Sequence, residues 1–89
     1  MAQPNGLNPE FNGTVKVATG TAVTAGGYTG VGLLFGNTTT FGIFFGSGAP
    51  TIESAKGSIY LRSDGSSTST RMYVNTTGTS VWTNVTTGA

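Results

Sequence analysis

The side chains that could do chemistry are few and widely spaced in this 89-residue chain. Its carboxylates are Glu10, Glu53 and Asp64, each in a turn-like segment, so the acid pair of a glycosidase is not predicted. Serine and threonine are abundant, but the chain has no histidine or cysteine to activate a hydroxyl or to bind zinc. No glycine cluster precedes a predicted helix, so no phosphate loop is indicated. We therefore expect a protein that is not an enzyme and holds no metal or cofactor.

The remaining candidates are tyrosine, tryptophan and arginine side chains, most of them in the last third of the chain. Tyrosine, tryptophan and arginine are the residues that most often anchor protein–protein interfaces. The four basic residues form no run and the net charge is only +1, so neither nucleic acid nor an anionic membrane is predicted as a partner. These side chains therefore indicate a function in binding other proteins.

Composition favours an ordered protein that associates. Charged residues make up 8% of the chain, against about a quarter in ordinary soluble domains. Hydrophobic residues make up 36% and aromatic residues 10%, which argues against disorder. So small a domain without disulfides is marginally stable alone, and a surface with so few charges tends to associate, so we expect a homo-oligomer. No secretory signal is predicted, because Met1 is followed by neither a basic segment nor an apolar core. No membrane-spanning segment is predicted, because the apolar stretch 31–45 is interrupted by glycine and threonine.

Alternating apolar residues and glycine-rich breaks predict strands and no helix. Residues 1–13 are either a floppy terminus or an extended arm that docks on a neighbouring subunit through Leu7 and Phe11. Residues 14–89 are expected to form one small β domain. Its first strand is predicted at 14–18, with a possible continuation to 24.

A pair of strands is predicted at 28–35 and 38–45, around Asn37. Apolar residues such as Phe41 and Phe44 fall on both faces of this pair. That pattern suits burial on two sides, in an ordinary core or at a subunit contact. The connector 46–55 contains Pro50, which has no N–H to continue a ladder.

Residues 56–89 predict a three-stranded β-meander. Strands at 58–62 and 71–75 pair about the loop 63–70, and any one-residue slip would mix their faces. The predicted cross-strand pairs are Leu61 with Met72, Ile59 with Val74, Tyr60 with Tyr73 and Arg62 with Arg71. A four-residue turn at 76–79 then places Trp82 beside Tyr73 and Val81 beside Val74.

The two faces of this meander differ in chemistry. The aliphatic face is predicted to be the domain's core and carries Ile59, Leu61, Met72, Val74 and Val81. The aromatic face carries Tyr60, Arg62, Arg71, Tyr73 and Trp82. We favour this second face as an interface over a half-exposed sheet surface with ordinary cross-strand pairs. The two opposed arginines would repel unless Asp64 neutralises them or each guanidinium lies over a tyrosine ring.

These elements predict an all-β fold, a small antiparallel β-sandwich or barrel of about six to seven short strands, with the extended N-terminal arm. We expect the domain to be oligomeric. Candidate contacts between subunits are Phe41 and Phe44 within 31–45, and Leu7 and Phe11 in the arm.

The second half of the chain resembles a recurring module of tailed-bacteriophage virion proteins. The residues that carry the resemblance are 44–51 (FFGSGAPT), 56–66 (KGSIYLRSDGS), 70–71 (TR), 73–76 (YVNT), Gly78, Trp82 and 85–87 (VTT). Similar segments end capsid decoration (cement) proteins and head or tail fibre proteins. The first half of the chain resembles no family that we can name.

The resemblance implies a structural protein made in the bacterial cytoplasm and bound to the outer surface of the phage capsid. Its implied partners are the major capsid protein and further copies of itself, with a trimer favoured. The alternative is a short head-fibre or tail-fibre protein that binds the host surface. The short chain favours decoration, because a fibre would need a shaft and none is indicated.

Overall fold

The computed structural model describes residues 13, 23–28, 32–36 and 40–88, and the account below concerns these residues alone. They form five strands and no helix, which confirms the all-β class. The strands are β1 (Gly32–Leu34), β2 (Gly42–Gly46), β3 (Ile59–Arg62), β4 (Met72–Asn75) and β5 (Trp82–Val85). No helix of the described residues is long and apolar enough to cross a membrane.

The strands form one open sheet in the order β1-β2-β3-β4-β5. All neighbours are antiparallel except β2 and β3, which are parallel. The described residues thus form a single mixed sheet of five strands, where an antiparallel sandwich or barrel of more strands was expected. The predicted strand at 14–18 and the predicted arm with Leu7 and Phe11 lie outside the described residues, apart from Gly13.

The predicted pairing of the two strands before residue 46 is confirmed over the described residues, where β1 and β2 are neighbours in the sheet. β1 and β2 are antiparallel, with Leu33 opposite Ile43 and Gly32 opposite Phe44. The N–H of Phe35 donates to the carbonyl of Phe41 at 2.8 Å and extends the ladder by one residue pair.

The predicted register of the next hairpin is also confirmed. Ile59 lies opposite Val74, Tyr60 opposite Tyr73, and Leu61 opposite Met72. The N–H of Arg62 donates to the carbonyl of Arg71 at 3.0 Å, so the two arginines also face each other.

The register between β4 and β5 is two residues away from the prediction. Asn75 lies opposite Trp82 and Tyr73 lies opposite Asn84. The cause is the buried Asn75 side chain, whose Oδ1 accepts from Gly78 N at 2.7 Å and whose Nδ2 donates to Thr79 O at 2.7 Å. This loop is longer than the predicted four-residue turn. A shift of two residues keeps the side-chain alternation, so Trp82 still shares a face with Tyr73.

A long crossover, residues 47–58, joins the parallel strands β2 and β3. Parallel neighbours require such a connection, which must pass over one face of the sheet. Here it brings the buried Ile52 into the core beside Phe44, Tyr60 and Tyr73. Segment 23–28 holds the start of the crossover, since Gly26 N donates to Ser47 O at 2.7 Å and Thr51 N to Gly26 O at 2.9 Å.

The core lies on the aromatic side of the sheet, so the prediction of an aliphatic core is wrong. Tyr60 is 0% exposed and Phe44 is 1% exposed, whereas Leu61 is 45% exposed. Glycines on the same side let the covering segments approach the sheet closely. A Cβ on Gly46 would come within 2.6 Å of both Gly27 N and Thr24 O.

Candidate functional site

The covered face of the sheet contains a cluster of aromatic rings whose polar atoms are hydrogen-bonded. We define this face by Phe44, Tyr60, Tyr73, Asn75 and Trp82. The Tyr60 ring lies edge-on to Tyr73, with centroids 5.9 Å apart, and 5.8 Å from the Trp82 ring. Its hydroxyl lies 3.3 Å from the carbonyl oxygen of Ser47 and 3.2 Å from that of Gly48, with its one hydrogen shared between them. Burial raises the pKa of Tyr60, and the negative charge of Asp64 raises it further. The buried hydroxyl of Tyr60 is thus hydrogen-bonded within this chain.

Arg62 and Asp64 close the edge of this cluster. Arg62 Nε donates to Asp64 Oδ1 at 2.8 Å, and its Nη1 donates to the Tyr73 hydroxyl at 3.2 Å. Asp64 Oδ1 also accepts from Gly48 N at 2.8 Å, which ties the start of the crossover to the β3–β4 loop. The hydrogen bond from Arg62, and then that from Gly48 N, lower the pKa of Asp64. The expected neutralisation by Asp64 is therefore confirmed for Arg62.

Arg71 has different partners. Its Nη1 donates to Thr87 Oγ1 at 3.2 Å and to the Gly88 carbonyl at 3.4 Å, so this side chain ties β4 to the segment after β5. Because Arg71 and Arg62 bond to separate groups, the two guanidiniums do not depend on one carboxylate.

The burial of the predicted interface residues divides them into groups. Phe44, Tyr60 and Tyr73 are buried within the chain, where its own residues cover their rings, and their interface role stays a prediction. Trp82 is half-buried and packs against the same core. Arg62 is half-buried, and Arg71 and Phe41 are exposed. The interface role of these four residues stays a prediction, and Leu7 and Phe11 lie outside the described residues.

The opposite side of the sheet is the surface that was predicted to be the core. Cross-strand partners share a face, so the register places nine residues there. This open face consists of Leu33, Ile43, Phe45, Ile59, Leu61, Met72, Val74, Thr83 and Val85. All but Thr83 are apolar, none is charged, and none is buried. Within the five strands, an apolar layer interrupted only by Thr83 therefore lies on the side away from the core.

The area of the open face limits how tightly it can bind another protein. Strands about 4.8 Å apart and a rise of about 3.3 Å per residue give a projected area of roughly 300 Å². The largest contiguous apolar patch on a typical monomer covers about 300–600 Å² and is often functional, so the open face lies at the lower end of that range. A standard interface buries about 800 Å² per partner, so this face alone would hold another protein weakly.

The sequence holds a signal for the true core side that the prediction missed. Gly42 and Gly46 alternate with Phe44, so one face of β2 carries a large ring between two residues without side chains. Such a face leaves room for another backbone to cross, whereas the other face, with Ile43 and Phe45, does not. The buried side of β2 could have been identified from this alternation.

Comparison of the chain with models of known protein families, with curated proteins and with solved structures found no match.

Proposed function

We propose that this chain is a structural protein that binds other protein through the open face, as a decoration protein on the outside of a tailed-phage capsid. The observation that carries the proposal is that apolar, uncharged face, from Leu33 on β1 to Val85 on β5. Apolar side chains held on a rigid sheet lose little conformational entropy on binding, so burying them is favourable. The resemblance of residues 44–87 to phage virion modules supplies the kind of partner, the major capsid protein.

A weak single contact suits a decoration protein. Many identical sites stand close together on a capsid, and an oligomer that engages several of them gains avidity. The resemblance favours a trimer for that oligomer, with an N-terminal arm as a further contact. The β-sandwich expected from the sequence is then completed between proteins, with the open face as one of its two layers.

The alternative, a short fibre that binds a host glycan, has less support. Sugar rings stack on exposed aromatic faces, and the tryptophan Trp82 is the residue best suited to that role. Its indole ring packs against Tyr60 and its N–H donates to the carbonyl of Ile52, so both the ring and the N–H already have partners within the chain. Copy number separates the two functions: a decoration protein is present in fixed ratio to the capsid protein, and a fibre in only a few copies.

The test replaces an open-face residue in the phage that encodes the chain. Leu61→Glu puts a charge at the centre of the open face, and Ser66→Glu puts the same charge on an exposed loop. We expect Leu61→Glu to lower the ratio of this protein to capsid protein in purified particles, and to lower the particles' heat resistance, while Ser66→Glu changes neither. Normal occupancy and heat resistance for both variants, with folding intact, would contradict the proposal. So would absence of the wild-type protein from the capsid in a reconstruction of the whole particle.

A further inference from the structure

β5 is the last strand of the sheet, and its outward backbone groups can be derived from the ladder. Asn75 N donates to Ser58 O and Arg62 N to Arg71 O, so the odd-numbered residues of β4 bond toward β3. In an antiparallel ladder the intervening residues bond the other way, so Met72 and Val74 bond to their partners Val85 and Thr83.

The residues between those partners point their backbone groups away from the sheet. They are Trp82, Asn84 and, by continuation, Thr86. The next residue, Thr87, returns its N–H inward to Thr68 O at 2.7 Å, which agrees with the alternation. Among the described residues no backbone partner is found for these three N–H and three C=O groups.

In the part of the chain that the structure describes, this edge lacks the features that usually prevent strand pairing. Natural edge strands are protected by charged residues, proline, bulges or a covering segment. Residues 82–87, with the sequence WTNVTT, contain no charge, proline or glycine. The pairs between β4 and β5 run without a break from Met72–Val85 to Asn75–Trp82, so no bulge turns the edge away.

We propose that β5 pairs edge to edge with β5 of a second copy of this chain. In an antiparallel register centred on Asn84, each Asn84 faces the partner's Asn84, and Trp82 faces the partner's Thr86. All three outward residues then hydrogen-bond in both copies. The contact is self-complementary because it uses the same strand twice, and it brings no like charges together.

The pairing also explains why the open face extends to the sheet's end. Two copies related by a two-fold axis through the sheet form one ten-stranded sheet, since each contributes five strands. Val85 lies on the open face at this edge, so the two open faces join into one uncharged apolar surface of twice the width. Its projected area of roughly 600 Å² is closer to what a stable interface needs on one side.

The other edge of the sheet fits a second copy less well. Within the described residues β1 spans Gly32–Leu34, and its ladder with β2 directs Gly32 and Leu34 outward. A closed trimer built through the sheet edges would have to join β1 of one copy to β5 of the next, because a contact that uses one strand twice closes as a pair. The edge chemistry thus favours a dimer in solution, where the resemblance implies a trimer. This inference does not rest on capsid binding.

The experiment uses the purified full chain and three substitutions at one position. All of them remove the hydrogen bond from Asn84 Nδ2 to Ser69 O, so they are matched for that loss. Asn84→Lys and Asn84→Asp place like charges directly opposite each other in the dimer, and Asn84→Ala does not. Native mass spectrometry over a concentration series measures the mass of the assembly, and circular dichroism reports the fold.

We expect the wild type and Asn84→Ala to be dimers, and each charged variant to dimerise about fivefold more weakly. An equimolar mixture of the lysine and aspartate variants should regain dimers, each of one lysine and one aspartate chain. Should a charged variant lose its fold, Thr86→Pro replaces it, because proline removes one outward N–H and leaves the inward bonds in place. A monomeric or trimeric wild type, charged variants that dimerise normally, or a mixture that forms no mixed dimers would overturn the proposal.

Discussion

The indole Nε1 of Trp82 donates a 2.9 Å hydrogen bond to the carbonyl oxygen of Ile52, thirty residues earlier in the chain. This bond joins the last strand to the crossover that covers the core. It accounts for a tryptophan in a terminal strand without any partner protein, because the ring covers Tyr60 while its N–H satisfies a backbone carbonyl. Trp82 therefore stabilises the fold of this chain through contacts of its own.

Trp82→Phe should therefore destabilise the isolated chain. Phenylalanine keeps a ring against Tyr60 but cannot donate to Ile52 O, and a lost hydrogen bond of this kind costs about 1 kcal/mol. The free energy of unfolding, measured with urea, should fall by that amount or somewhat more. An unchanged free energy of unfolding with altered assembly would instead favour an interface role for this side chain.

Alanine substitutions on the two faces of β3 should differ sharply in how much they lower the free energy of unfolding. Tyr60→Ala removes a fully buried ring and should cost about 3–5 kcal/mol, which leaves so small a domain largely unfolded. Leu61→Ala removes a side chain that is nearly half exposed and should cost well under half as much. Circular dichroism and urea unfolding of both proteins measure the difference. Comparable losses would mean that the open face is buried inside the folded chain.

Asp64 should contribute an acid-sensitive step to stability. Its pKa lies below the usual 3.8 because Arg62 and Gly48 N bond to the ionised carboxylate. A group whose pKa is lowered by folding stabilises the protein above its unfolded pKa and loses that effect as the pH falls through its folded value. The thermal midpoint of the wild type should thus fall as the pH drops below 3.8.

The Asp64→Asn variant has no carboxyl group to titrate at this position, so it serves as the control for the previous prediction. Its thermal midpoint at neutral pH should be slightly lower than that of the wild type, and the two proteins should converge in acid. The difference should shrink with added salt, since the pair is exposed. A constant difference between the two proteins from neutral to acid pH would show that the carboxylate charge has no such role.

The buried Asn75 should matter more than its loop position suggests. Asn75→Ala removes the acceptor for Gly78 N and the donor to Thr79 O, so we expect a loss of about 2 kcal/mol in the free energy of unfolding. Thr76→Ala, next to it but exposed, should change stability by less than about 0.5 kcal/mol. Equal effects of the two substitutions in urea unfolding would contradict the assignment of Asn75 as the residue that holds this loop.

Local pattern was sufficient for part of this fold. Alternation of side chains predicted the all-β class, the β1–β2 pair and the register of Tyr60 with Tyr73, because an antiparallel pair joined by a short loop depends on neighbouring residues alone. The β4–β5 register failed by two residues, since it depends on how the Asn75 side chain organises its loop. The alternation of apolar and polar residues carries no information about the hydrogen bonds of the Asn75 side chain.

Which face of the sheet became the core could not be read from the same alternation. Both faces of β3 and β4 carry large side chains, and two-residue periodicity separates them without ranking them. The parallel pairing of β2 with β3 decided the outcome, because its crossover passes over the aromatic face and buries Tyr60 there. Long-range pairing of this kind leaves no local pattern in the chain.

The amino-acid sequence by itself determined that this protein is built of strands, carries little charge and presents two chemically different sheet faces. Only the tertiary structure decided that the Tyr-Tyr-Trp face is internal and that Leu33 to Val85 form the outer surface. The physical reason is that a sheet buries the face that its own connections cover. The route of residues 47–58 therefore moved the candidate binding surface from the aromatic side of the sheet to the aliphatic side.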